Sequence, residues 1–162
     1  MPRTTFCYCI EQWLLRTYVP LNGLPNQTEP VTYLGTLPTE AYRHRYAIGA
    51  EEFRSVFVIV ADHPEQVSPS LVQSFRQFVK KNNGLVGYLF CQEEVSPDVI
   101  ELPTKDKDYS VLVIAGEMIA GIMLDKGVGV RQHPLWHLDG PRWMIDEEFF
   151  NLIRKLSQFV QP

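Results

Sequence analysis

The stretch "SVFVIVADHPEQVSPSLVQSFRQFV", residues 55–79, changes character halfway and decides the fold class. Val56 to Val60 is a dense run of residues that favour a β-strand. From Ser68 onward the apolar residues fall at helical spacing, on Leu71, Phe75, Phe78 and Val79. Ser68 suits an N-cap and Pro69 the first helical position. Lys80 and Lys81 fall in the last turn, where cations complement the helix dipole. Asn82-Asn83-Gly84 closes the helix, and "LVGYLFC" at 85–91 reads as a second buried strand.

Working outward, "FCYCIEQWLLRTY" at 6–18 places Phe6, Ile10, Trp13, Leu14 and Tyr18 on one helical face. Pro20 and "LNGLPNQTEP" end that helix in a loop. "VTYLGTL" at 31–37 reads as a short strand, and "YRHRYAIG" at 42–49 pairs with "SVFVIVAD" at 55–62 around the turn "AEEFR". Downstream, "SPDVIELPTKDKD" at 96–108 reads as a polar connection and "YSVLVIAG" at 109–116 as a central strand. "EMIAGIMLDKG" at 117–127 is a short helix stopped by Gly127. A "GVGV" turn and an irregular stretch to Arg142 lead to a terminal helix over 146–160. The order predicts one α/β domain over residues 1–162, a mixed central β-sheet flanked by helices on both faces.

Composition excludes several classes. The 162 residues are 45% hydrophobic and 21% charged, with a formal net charge of -4. That balance argues against a protein that coats nucleic acid nonspecifically. A local basic patch is compatible with it, and Arg43, Arg45, Arg54, Lys80 and Lys81 are the candidates for phosphate contacts. Cys7, Cys9 and Cys91 cannot all pair within the chain, Pro2-Arg3-Thr4-Thr5 does not open a signal peptide, and no segment reaches the roughly 18 apolar residues of a membrane span. The expectation is an intracellular, cytoplasmic protein in a reducing compartment, without a membrane partner.

Motifs that would carry chemistry are weak. His133 and His137 are four apart, but Pro134 between them opposes a helix, so they do not form a zinc-protease pair. Cys7 and Cys9 fall on a helix, where residues two apart point in different directions and core packing outweighs zinc. "DKGVGV" lacks the lysine and hydroxyl of a phosphate loop, and Cys91 ends a buried strand without an identifiable partner. Carboxylates remain: Glu11 in the first helix, Glu51 and Glu52 in a turn, Asp62 at a strand end, and Glu93 and Glu94 after the next strand. Strand-end acids of this kind can bind a hard divalent ion, and more often line a sheet in solvent.

Taken in order, these segments resemble the catalytic domain of Mrr-type restriction endonucleases, a branch of the PD-(D/E)xK nuclease superfamily. "SVFVIVADHPEQVSPSLVQSFRQF" is similar to that family's metal-site strand, loop and following helix. "NNGLVGYLFCQEEVSPDVI" resembles its next strand, "YSVLVIAGEMIAGIMLDKGVGV" its strand and helix ending in Val-Gly-Val, and "WMIDEEFF" its closing segment. With "FCYCIEQWLL" as the first helix, the likeness covers most of residues 6–150.

The resemblance implies a restriction-endonuclease-like core and a defined set of site positions. The family holds Mg²⁺ with acids from the first helix and the strand hairpin, and places Gln/Glu-x-Lys on the next strand for phosphodiester hydrolysis. Here those last two positions are Ile59 and Ala61, which can neither ligate a metal nor move a proton. Glu11 matches the helix acid, whereas Tyr42 to Ile48 offers Arg43, His44 and Arg45 and no acid. The expectation is therefore a catalytically inactive nuclease-fold protein without a cofactor. It would act as a binding or scaffolding subunit of a DNA-defence or DNA-processing assembly, with a protein partner, DNA contact through the basic residues and homodimerisation all open. Trp136 and Trp143 are candidate partner anchors. The alternative is an active Mg²⁺-dependent endonuclease with a migrated site built from Glu11, Glu51, Glu52 and Asp62.

Overall fold

The computed structural model describes residues 1–17, 27–31, 41–47, 53–105, 110–132 and 143–159, with side chains over 1–17, 56–102, 110–131 and 143–155. In chain order the elements begin with α1 (Arg3–Thr17), β1 (Gln27–Val31), β2 (Ala41–Ala47), β3 (Phe53–Ala61), α2 (Pro69–Lys81) and β4 (Gly84–Cys91). They continue with α3 (Pro97–Lys105), β5 (Val111–Ala115), α4 (Glu117–Asp125), β6 (Val130–Gln132), β7 (Trp143–Ile145) and α5 (Glu147–Phe159). Two compact units emerge, one of Tyr18–Met118 and one of Met1–Thr17 with Ile119–Pro162.

The Tyr18–Met118 unit is built on one sheet in the order β1-β2-β3-β4-β5. β1, β2 and β3 pair antiparallel, and β3, β4 and β5 pair parallel. Parallel pairing needs crossovers, and α2 and α3 supply them. Phe57, Ile59 and Ala61 of β3 form one apolar cluster with Leu89 and Cys91 of β4 and Val111, Val113 and Ala115 of β5. Leu71, Val72, Phe75 and Val79 of α2 and Val99 of α3 close that cluster, so both crossover helices lie on this face. The sequence leads to an expectation of helices on both faces; the two in this unit share one.

Val56, Val58, Val60, Val86, Tyr88, Phe90 and Ile114, at the alternate positions, are buried as well. The three parallel strands are therefore apolar on both sides, and each fully buried side chain of this size contributes roughly 1.5–3 kcal/mol. α2 sits tightly on β4 because Gly87 has no side chain: a Cβ there would stand 2.7 Å from Val79 and 2.8 Å from Phe75.

Helix α2 begins and ends where its sequence directs. The Ser68 hydroxyl accepts a hydrogen bond from the Leu71 N–H at 3.1 Å, and Pro69 opens the first turn. At the other end the Asn82 N–H donates to the Phe78 carbonyl, and Asn83 adopts φ 51 before β4 starts. Leu71, Phe75 and Val79 are buried as the spacing requires, while Phe78 is half-buried and meets Phe57 edge-on at 5.0 Å.

Elsewhere the structure departs from the sequence reading. Residues 27–30, read as loop, belong to β1, fixed by its register with β2 from Gln27↔Arg45 to Val31↔Ala41; of the strand expected at 31–37, residues 32–37 lie outside the described residues. Pro30 is tolerated because β1 is an edge strand. The "polar connection" at 96–108 contains helix α3. Val99 and Ile100 donate to the Ser96 carbonyl to start it, and Val99 inserts into the core. Pro103, near the end of α3, removes one N–H from its hydrogen-bond ladder. The "irregular" stretch to Arg142 contains β6, which pairs antiparallel with β7 from Val130↔Ile145 to Gln132↔Trp143.

The second unit contains α1, most of α4, the β6–β7 ribbon and α5. Phe6, Cys9, Ile10, Trp13 and Leu14 of α1 are buried, and Tyr18 lies outside the described residues. Arg16 Nη1 donates to the Lys126 carbonyl at 2.8 Å and also to that of Gly127, satisfying acceptors at the end of α4. Asp146 Oδ1 accepts from the Phe149 N–H at 3.1 Å and caps α5. Tyr8 of α1 meets Phe149 with ring centroids 5.8 Å apart. No described helix is long and apolar enough to cross a membrane.

Candidate functional site

Ile59 and Ala61 occupy the last turns of the pleat in β3, paired with Leu89 and Cys91 of β4. Ile59 is 0% exposed and Ala61 3%. Both belong to the apolar cluster beneath α2 and α3. Sliding the motif back by one residue substitutes Val58 and Val60, which are buried too, and sliding it forward brings in Asp62 alone, exposed just beyond the strand. Neither face of β3 from Val56 to Ala61 presents a polar side chain.

Polar chemistry begins where the parallel strands end. Asp62, His63 and Glu65 follow β3, Glu93 and Glu94 follow β4, and Glu117 follows β5, and all six are exposed. Gln66 Oε1 accepts from the Asp62 N–H at 2.7 Å and the His63 N–H at 3.3 Å, holding the chain as it leaves β3. His63 Nδ1 lies 3.9 Å from Glu93 Oε1, an ion pair only when the imidazole is protonated. Glu94 Oε1 accepts from the Glu117 N–H at 3.0 Å, at the first residue of α4, where a negative charge is favoured. Gly116, between β5 and α4, has φ +51, and its missing side chain leaves the space that the Glu94 carboxylate fills.

The remaining candidates are distributed as follows. Glu11 is exposed on α1, and Glu51 and Glu52 lie outside the described residues. Arg43 and Arg45 occupy β2, Arg54 the start of β3, and exposed Lys80 and Lys81 the last turn of α2. Trp143 is 45% exposed on β7, and Trp136 lies outside the described residues, as do His133 and His137. Among the described residues no group of His, Cys, Asp and Glu is arranged to hold a metal ion.

The cysteines are poor nucleophiles. Burial pushes the Cys9 thiol up to about 11. The Cys91 thiol is raised chiefly by burial, and the charges of Glu93 and Glu65 add to the effect against a lowering backbone hydrogen bond at Glu93. A thiol held protonated is inert towards electrophiles.

Two features escaped the sequence reading. In the sequence Glu94 reads as a rim acid, yet it caps a helix 23 residues further on, in the space left by Gly116. Arg76 of α2 is 5% exposed, with Nη1 donating to Gln73 Oε1 at 3.2 Å. The helical spacing of the two residues permits that bond, but nothing in the sequence announces the burial.

No family model matches the chain, and no curated protein matches it. Among solved structures, the MspJI restriction endonuclease in complex with a 27-mer oligonucleotide is similar, at 15% identity and a TM-score of 0.45. The match covers 78% of this chain and 28% of that one, so the chain spans little more than a quarter of that protein's length.

Proposed function

We propose that this chain is an Mrr-like, restriction-endonuclease-like domain that has lost metal-dependent chemistry and serves as a binding or scaffolding subunit of a DNA-defence or DNA-processing assembly. The observation that carries the reading is the burial of Ile59 at 0% and Ala61 at 3%, where the resembled family keeps its polar pair. A metal-activated hydrolysis needs a hydrated ion, a ligand set and a path for water. The side chains of β3 from Val56 to Ala61, all apolar and buried, supply no ligand for such an ion. Support for the family comes from the sequence likeness and from the succession α1, hairpin, β3, α2, β4 that it implied.

The test is direct. Purified protein is incubated with supercoiled plasmid and saturating Mg²⁺ or Mn²⁺, and its melting temperature is followed with and without the ions. Intact plasmid and an unchanged melting temperature are expected. Metal-dependent nicking that disappears on Glu11→Gln or Asp62→Asn would establish the migrated-site endonuclease instead.

A further inference from the structure

The sheet of the Tyr18–Met118 unit separates charge between its two ends. Arg45, Ser55 and Gly84 lie in one row across β2, β3 and β4, with Arg54 at the adjoining position of β3. Neighbouring strands are about 4.8 Å apart, so this row is roughly 10 Å wide. Helix α2 delivers exposed Lys80 and Lys81 to the same end, immediately before the Asn82-Asn83 turn into Gly84. Among the described residues of this row and of the last turn of α2, every charge is positive.

The carboxyl end is the reverse. Asp62, Glu65, Glu93, Glu94 and Glu117 are all exposed there, with His63 as the accompanying base. Ile59 and Ala61 lie towards this end of β3, so the place where the resembled family cleaves phosphodiesters is here ringed by like charge. A phosphate backbone is repelled from it and attracted to the opposite end.

We propose that the amino end of the sheet is a nucleic-acid backbone surface, with Arg45, Arg54, Lys80 and Lys81 neutralising phosphates. It rests on the reading of the chain as a binding subunit and gives that subunit its orientation: the polyanion lies away from the vacated motif. A repeating phosphate backbone fits better than a protein partner. Protein interfaces are anchored by buried aromatic residues, and the large, apolar, exposed side chains described near this end, Leu85 at 39% and Leu112 at 38%, are not aromatic.

The experiment follows fluorescence anisotropy of the full chain on a labelled duplex of random sequence over a salt series. Affinity is expected to fall linearly in a log–log plot, and Lys80→Ala with Lys81→Ala is expected to reduce the slope by about 2, at roughly 0.9 per lost phosphate contact. Arg45→Ala with Arg54→Ala should act alike, and Glu65→Gln with Glu93→Gln should leave the slope unchanged. Melting curves confirm that each variant is folded. Absence of salt-dependent binding, an unchanged slope in both basic variants, or displacement of the duplex by poly-glutamate at equal charge would overturn the proposal, the last pointing to an acidic protein. Failure here is distinct from failure of the inactive-nuclease reading, which falls only on metal-dependent cleavage.

Discussion

The Glu94 carboxylate stands where a side chain on Gly116 would have to go, and from there it receives the first N–H of helix α4. Two residues far apart in sequence thus specify one joint. Glu94→Ala should cost about 1 kcal/mol as a lost cap. Gly116→Ala should cost about 2 kcal/mol or more, because it adds the clash with Glu94 to the strain of φ +51. The double variant should be more stable than the sum implies, since removing the carboxylate relieves the clash. Urea denaturation of the four proteins reads this coupling directly.

Ile59→Gln combined with Ala61→Lys rebuilds the polar pair of the resembled family. The expected outcome is no plasmid cleavage with Mg²⁺ and a loss of stability of about 3 kcal/mol or more, because both groups enter the core beneath α2 without partners. Should the double variant fail to fold, Ile59→Gln alone carries the same prediction for stability. Cleavage by the double variant would refute the proposed loss of function.

Gly87→Ala tests the seating of α2. The added methyl would stand 2.7 Å from Val79 and 2.8 Å from Phe75, so the helix must shift or the side chains must leave their rotamers. A cost of about 1–3 kcal/mol is expected. A thermal shift within error of zero would show that α2 can lift from β4 freely.

Alkaline pH should weaken the fold through Cys9. Its thiol is raised from 9.0 to about 11 by burial, so the unfolded chain loses that proton first as pH climbs. The stabilisation is complete below pH 9 and disappears as pH passes through about 11, a change of about 3 kcal/mol. Cys9→Ala should flatten the stability profile in that window relative to the parent.

Local signals made much of the fold legible. Ser68-Pro69 with Leu71, Phe75 and Val79 places α2, and the all-apolar runs place β3, β4 and β5, because burial on both faces leaves no other composition. What failed were elements whose existence depends on distant partners. β1 carries a proline and is fixed by its register with β2, and β6 and β7 are too short to show a period. Helix α3 was hidden by Pro103 and the charged run after it, while Val99 alone ties it to the core. Of the candidate positions named from the sequence, Ile59 and Ala61 lie in the core, while Asp62, Glu93 and Glu94 lie exposed at the strand ends. The cap from Glu94 to Glu117 needed the sheet to bring the ends of β4 and β5 side by side.

Strands that are apolar on both faces also govern how the chain reaches its native state. β3, β4 and β5 pair in parallel across intervening helices, so none can bury its surface until segments tens of residues apart have met. Until then "VFVIV", "VGYLF" and "VLVIA" are uncharged, proline-free segments exposed to other chains. Non-local pairing of this kind is slow, and slow exposure invites association. Refolding yield after dilution from denaturant should therefore fall as protein concentration rises. A charge placed at Leu112, the half-exposed position of β5, should raise that yield while barely moving equilibrium stability.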